Sequence, residues 1–328
     1  MEPPPGGPMS SGHPDLDHFL GGGFRRGSSV LLAGPTGSGK TIMASMFSEA
    51  ACRRGEKVLF VSFEESETQI VNAVASAGID LNAGRDAGLL RLITYLPETA
   101  GLETHLYHHV QVLREFQPDH MIIDSISPIS RMASRRAVFE YTLRLLFLSR
   151  QMGITCMLTR QIPTFNVEEA LRDVDFVSQL DTVLFLNYAE IGGEVNRTAL
   201  VLKSRGSAHS NQFREYRITG QGISFSDVYV GQGGMLTGTA RQEQEAREYA
   251  ESLRRNHLLE STRKDVERMR EMVALKENAF EAALEKRVTE LHLLEKEHEA
   301  MAKSEAKRRD MRQRTVKGSQ NEEGRNEQ

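Results

Sequence analysis

The order of apolar and polar positions divides the 328-residue chain into two blocks of different character. Between residues 15 and 225, short apolar runs alternate with longer stretches in which apolar residues recur every third or fourth position. Short runs bounded by turn residues predict buried strands, and the longer periodic stretches predict amphipathic helices. The expected strands are residues 28–33, 57–62, 89–94, 120–123 and 155–158, with helices at 40–54, 67–77, 102–116 and 137–151. This alternation builds a mostly parallel sheet with helices on both faces, an α/β fold. After residue 158 the strands at 182–187, 198–203 and 213–218 are separated by turn residues instead of helices, which predicts an antiparallel extension at one sheet edge.

The second block contains neither Gly nor Pro from residue 240 to 317, and charged residues surround a thin apolar stripe. That is the pattern of one long helix. Leu259, Val266, Val273 and Phe280 recur every seven residues, and a second frame begins four residues later with Leu284, Leu291, Leu294 and Met301. A shift of four between heptad frames is a stutter, so the helix continues while its seam moves round. Arg287 and His298 fall on seam positions and dilute it. The alternative is a solvated charged helix. At about 1.5 Å per residue the segment would extend on the order of 110 Å, too long to fold back onto one domain, so a coiled coil needs a partner helix. The expected organisation is a disordered start over residues 1–12, a globular domain over 13–238, a coiled-coil helix over 239–317 and a disordered tail over 318–328.

Candidate chemistry sits at the first strand-to-helix junction. Gly34-Pro35-Thr36-Gly37-Ser38-Gly39-Lys40-Thr41 fits the P-loop pattern G-x-x-x-x-G-K-[ST] between an apolar strand and a helix. The glycines let backbone N–H groups turn in around phosphate oxygens, and the helix N-terminus adds its positive end. Lys40 would reach the β and γ phosphates of ATP, and the Thr41 hydroxyl would hold Mg²⁺. Asp124 ends the strand at 120–123, where a second metal-holding carboxylate belongs. Glu64 and Glu65 follow the strand at 57–62 on the same sheet edge. Adjacent carboxylates repel, so one could titrate high and act as a base toward water; an acidic helix start explains the pair equally well. Thr159 and Arg160 follow the strand at 155–158 and are candidates to sense the γ phosphate. His105, His108 and His109 lie on one predicted helix, but no carboxylate or Cys stands at a convincing spacing to complete a zinc site.

Leu20-Gly21-Gly22-Gly23-Phe24, the P-loop, Phe63-Glu64-Glu65-Ser66, residues 97–103, Ile122-Ile123-Asp124-Ser125 and Lys203-Ser204-Arg205-Gly206-Ser207-Ala208-His209 resemble the KaiC family of RecA-like ATPases in order and spacing. The likeness is greater to the second, autophosphorylating KaiC domain, through residues 97–103 and 188–194. It covers residues 15–227 and leaves out the helical tail. It implies a RecA-like P-loop core, a homo-hexameric ring, and ATP with Mg²⁺ held between neighbouring subunits. Glu64 and Glu65 match the family's catalytic glutamates. Lys203 and Arg205 match the basic pair that reaches the adjacent subunit's phosphates, with Ser207 and His209 beside the nucleotide. The family's adjacent Ser-Thr phosphorylation pair falls on Val177-Ser178 and its further hydroxyl on Arg172, so Ser178 is the one candidate phosphoacceptor left at the matching positions.

Composition narrows the alternatives. A net charge of -4 and a pI near 6.2 speak against a RecA-type recombination ATPase on DNA, as do few aromatics and the lack of a basic, Gly-rich loop after Asp124. Two cysteines in apolar settings fit a reducing cytoplasm, and no apolar run reaches 18 residues. The expectation is a cytoplasmic ATP-hydrolysing ring protein in signalling or circadian-type timing, with signalling proteins as partners and rings stacked through the coiled coil. A nucleotide-switched coiled-coil scaffold is the other reading.

Overall fold

Strand β3 (Ser29–Gly34) is buried along its whole length, and its side chains divide between two cores. Val30 and Leu32 enter one, Leu31 and Ala33 the other. The same alternation recurs in β4 (Val58–Ser62), β6 (His120–Asp124) and β7 (Thr155–Gln161), because successive strand side chains point to opposite faces. With both faces covered, these strands read as continuous apolar runs. The computed structural model describes residues 6–162, 176–191, 194–227, 229–231 and 234–323.

The first strands and helices are β1 (Pro8–Met9), α1 (Pro14–Phe19) and β2 (Phe24–Arg25). Helix α2 (Lys40–Arg53) follows β3, and α3 (Glu67–Ala75) with α4 (Leu81–Asp86) follow β4. Strand β5 (Leu90–Thr94) precedes α5 (Leu102–Phe116); α6 (Ser127–Met132) and α7 (Arg135–Gln151) lie between β6 and β7. Helices α1 to α4 pack on the face of Val30, and α5 to α7 on the face of Leu31. The antiparallel part consists of β8 (Thr182–Ile191), β9 (Glu194–Ser204), β10 (Arg214–Thr219) and β11 (Gly222–Asp227). The nine-stranded sheet has the order β11-β10-β9-β8-β3-β7-β6-β4-β5, parallel from β8 to β5 and antiparallel beyond β8. This is the architecture of a RecA-like core, and it puts the carboxyl ends of β3, β7, β6 and β4 side by side. A separate small hairpin joins β12 (Tyr229–Gly231) to β13 (Gly234–Leu236).

Two expectations about disorder need correction. Pro8–Met9 pairs antiparallel with Phe24–Arg25, and Met9 and Ser11 are buried, so the start of the chain is fixed from at least residue 8. The Asp17 carboxylate anchors it, accepting from the Ser10 hydroxyl and the Ser11 amide, both at 2.6 Å. Gly23, at φ +104°, lets the Met9 carbonyl approach so closely that a Cβ there would lie 2.1 Å from its oxygen. Residues 1–5 lie outside the described residues. At the other end, helix α8 (Gly238–Glu323) continues past 317 through Gly318, where an unstructured tail was expected. One glycine costs a helix only about 1 kcal/mol, and extension of an existing helix needs no new nucleus. Residues 324–328 of that expected tail are outside the described residues. The chain divides into two compact units, Met1–Glu245 and Ala246–Gln328. No helix among the described residues is long and apolar enough to cross a membrane.

Gly23→Ala should expel Met9 from its seat, because the added Cβ meets backbone at a φ that L side chains rarely adopt. Urea denaturation should register a loss of about 1–3 kcal/mol. An unchanged midpoint would show that the N-terminal strand contributes nothing to stability.

Candidate nucleotide site

Between β3 and α2 the chain makes one tight loop, residues 35–39. Gly37 and Gly39 take positive φ, 75° and 90°, and a Cβ on Gly39 would lie 2.6 Å from Ile218 Cδ1. Gly39 is the N-cap of α2, and no side chain caps this helix end. Its first amides therefore keep donors for an incoming anion. The loop's carbonyls are tied elsewhere. Tyr188 donates its hydroxyl to Thr36 O (3.3 Å), Arg197 its Nε to Gly37 O (3.3 Å), and Tyr216 its hydroxyl to Ser38 O. Strands β8, β9 and β10 thus hold three successive loop carbonyls. That is what the antiparallel extension does for the site.

Lys40 Nζ donates to Gly34 O (2.9 Å) and Pro35 O (2.8 Å). Burial lowers its pKa, and the nearby Asp124 and Glu64 carboxylates oppose that fall. Asp124 is buried at the end of β6, accepting from the Thr159 hydroxyl and from Thr41. Burial pushes its carboxyl upward against those two hydrogen bonds. Strand β4 runs beside β6 with Ser62 opposite Asp124, which brings Glu64 and Glu65 to the same edge. The Ser62 hydroxyl accepts from both glutamate amides, at 3.3 and 3.1 Å. Glu65 is raised above the usual carboxylate range by burial first, then by the charges of Asp124 and Glu64. Thr36, Lys40, Thr41, Glu64, Glu65 and Asp124 line one open cleft of about 360 Å³, shared with Arg197, Gln161 and Ser125.

Lys203, Arg205, Ser207 and His209 do not line that cleft. Lys203 Nζ donates to Val177 O at 2.9 Å, and Arg205 Nη2 to Ser178 O at 2.7 Å, so both hold the turn that carries Ser178. Asp181 organises this second cluster. Its carboxylate accepts from Ser29 N (2.9 Å), the Ser29 hydroxyl (2.8 Å) and Arg150 (2.6 Å). The Ser207 and Ser204 hydroxyls pair at 2.6 Å, and His209 is half-buried next to Ala208. Gly21 is glycine for that loop: a Cβ there would lie 2.4 Å from Ala208 O. Of the other candidates, Thr159 joins the cleft through Asp124, while Arg160 lies 5.9 Å over the Phe176 ring. Sequence reasoning missed Arg197 and Tyr216. They stand among other polar and charged residues of β9 and β10, where the strand pattern alone does not distinguish them from surface positions.

A P-loop after the central strand of a parallel sheet, with a buried acid ending the neighbouring strand but one, defines a P-loop ATPase with a RecA-like core. Residues 9–228 match the family described as "ATPase: KaiC", and the chain belongs to that family. It is 35% identical over 289 residues to circadian clock protein KaiC2 of Synechocystis sp., covering 87% of this chain and 51% of that protein. It is 37% identical over 231 residues to circadian clock oscillator protein KaiC of Thermostichus vulcanus, covering 70% and 45%, and 37% identical over 221 residues to KaiC of Parasynechococcus marenigrum, covering 67% and 43%. The chain spans about half the length of the curated relatives it matches. The longer KaiC2 match runs into α8, whereas the likeness read from motifs ended near residue 227.

Two of the three histidines of α5 serve packing, and His108 is exposed. His105 and His109 are buried against Phe63, at 5.4 and 6.0 Å between ring centroids, and each lies 5.5 Å from Tyr95. No group of three metal-ligating side chains occurs among the described residues. Burial, then the neighbouring His105 and His108, push the pKa of His109 down to about 3. A base with a depressed folded pKa stays neutral while its unfolded counterpart takes up a proton, so folding stability is complete above about 6.5 and falls as pH drops toward about 3. The slope should approach ~1.4 kcal/mol per pH unit at most. His109→Phe should flatten the stability profile between those limits, and an unchanged slope would assign the acid sensitivity to another group.

Proposed function

We propose that this chain binds and hydrolyses ATP, with its P-loop cleft completed by a neighbouring copy in a homo-hexameric ring. The observation that carries this reading is the convergence of Lys40, Thr41, Asp124, Glu64 and Glu65 on one cleft, under a helix N-terminus without a side-chain cap. Residues 34–41 would cradle the phosphates, with Lys40 exchanging its two loop carbonyls for phosphate oxygens. Mg²⁺ held by Thr41 and Asp124 would neutralise phosphate charge. Glu65 has the character of a general base: a carboxylate whose proton affinity is raised by burial and by two neighbouring acids. It would take a proton from water as the water oxygen bonds to the γ phosphorus and the bond to ADP breaks. Glu64 shares that edge and supplies part of the charge that raises Glu65.

The remaining matched residues support a shared site. Lys203 and Arg205 hold the Val177–Gln179 turn beside Asp181, and neither they nor Ser207 and His209 line the cleft of their own chain. On this reading Lys203 and Arg205 stabilise charge on the phosphates of an adjacent subunit. Ser178 is the single candidate for autophosphorylation, on a turn whose backbone that basic pair grips. The relatives named for the circadian clock favour a role in timing or signalling, in the cytoplasm, with signalling proteins as partners. The 86-residue helix α8 favours a second component of the same reading, in which it joins rings or recruits a partner as nucleotide turns over.

Lys40→Ala should abolish ATP binding, whereas Glu64→Gln with Glu65→Gln should leave binding intact and slow phosphate release by on the order of 10²–10⁴-fold. Retained affinity in the first variant, or unchanged turnover in the second, would remove those residues from the site. Arg205→Ala should be inactive only through its neighbour. Mixing it with Lys40→Ala chains should restore hydrolysis at interfaces that combine an intact P-loop with an intact Arg205. Confirmed co-assembly without recovery would confine Arg205 to its own chain.

A further inference from the structure

Helix α8 carries a symmetry that its heptads alone do not require. One set of seam positions mirrors about the Lys276–Glu277 peptide bond, while Met272, Leu275, Val288 and Leu293 lie outside it. Val273 and Phe280 are equally far from that point, as are Met269 and Leu284, Thr262 and Leu291, and Leu259 and Leu294. Val266 mirrors Arg287, whose aliphatic stem can lie along a seam while its charge reaches out. These apolar side chains stand exposed, Leu259 by 64% and Phe280 by 71%. The row from Leu259 to Leu294 recurs every seven residues throughout, and the four-residue shift sets Thr262 and Met269 opposite Leu291 and Leu284. Across an antiparallel pair, Leu259, Val266 and Val273 of one copy meet Leu294, Arg287 and Phe280 of the other.

Charge follows the same axis. Residues 254–276 carry seven Lys or Arg against four acids, and residues 277–299 carry seven acids against three Lys or Arg. A parallel, in-register partner would lay each block against its like. An antiparallel partner lays the basic half on the acidic half twice, and opposes Lys276 to Glu277 at the centre. We propose that α8 pairs antiparallel with α8 of a second copy, centred on Lys276–Glu277. The pair spans residues 254–299, on the order of 70 Å. Because α8 follows the ATPase unit in the chain, the two chains enter the pair from opposite ends. The helix therefore links chains of two different rings instead of neighbours within one. This deepens the assembly reading above, resting on association of the helix and not on nucleotide chemistry.

Full-length Leu259→Cys and Leu294→Cys chains, purified reduced, mixed and oxidised, test the direction of pairing. The native Cys52 and Cys156 are buried, and the unaltered chain gives the background. The mixed disulfide should dominate over either homodimer. Predominant Leu259→Cys homodimers would overturn the antiparallel arrangement while leaving helix pairing standing, and no helix cross-link at all would overturn pairing itself. A charge exchange leaves the seam untouched and serves as the second arm. Arg270 lies beside the seam opposite Glu281 of the second copy, so Arg270→Glu should weaken association in ultracentrifugation by about tenfold. Adding Glu281→Arg to the same chain should restore it. Failure of the double substitution to recover would overturn the proposed register.

Discussion

At the end of the central strand, the backbone of Gly34 passes so close to Leu186 that a Cβ would stand 2.2 Å from its carbonyl oxygen. This contact between β3 and β8 sets how tightly the P-loop can turn, and the rest of the site is arranged around it. To one side, β7, β6 and β4 bring Thr159, Asp124 and the two glutamates to the same edge. To the other, β8, β9 and β10 supply Tyr188, Arg197 and Tyr216 to the loop carbonyls. The parallel half of the sheet thus provides the charged groups, and the antiparallel half fixes the loop that they surround. Neither half makes the cleft alone, since Arg197 of β9 also lines it.

Much of this was legible because it is local. The P-loop is a contiguous string whose glycines have a geometric reason, and Asp124 ends an apolar strand whose neighbours follow from the alternation of elements. Glu64 and Glu65 were ambiguous until β4 fell beside β6, since only sheet order decides whether an acid pair at a strand end faces a cleft. Six-residue helices such as α1, α4 and α6 were invisible for another reason. They are less than two turns long, too short for an apolar period, and α4 owes its position to the Asp80 cap on Asn82 and Ala83. The seating of Met9 was equally hidden. It depends on Asp17 and Gly23, whose roles emerge only when two short strands pair across the segment that contains α1.

The basic cluster around Asp181 shows how one strand can serve two sites. Strand β9 places Arg197 at the P-loop and, further along, Lys203 beside the Ser178 turn. The Arg205 amide that follows β9 donates to Asp181 O at 2.8 Å, and the Asp181 carboxylate returns to Ser29 at the start of β3. The second cluster is therefore bonded through the sheet to the opposite end of the strand that ends in the P-loop. A change in the grip on the Ser178 turn would be felt along β3, because a buried strand bonded on both edges transmits displacement instead of absorbing it.

Helix α8 obeys a different balance. Its internal ion pairs, such as Glu260 with Lys264 and Glu299 with Lys303, are exposed and contribute only ~0.3–0.5 kcal/mol each. Burying a Leu or Phe contributes about 1.5–3 kcal/mol. A few seam residues therefore outweigh all of those surface pairs together, provided that a partner covers them. Ordering so long a helix costs backbone entropy at every residue, and the exposed seam returns nothing toward that cost while it faces water. On the proposed pairing its stability would be a property of the assembly, and the helix would gain rigidity in the same step that joins it to a second chain.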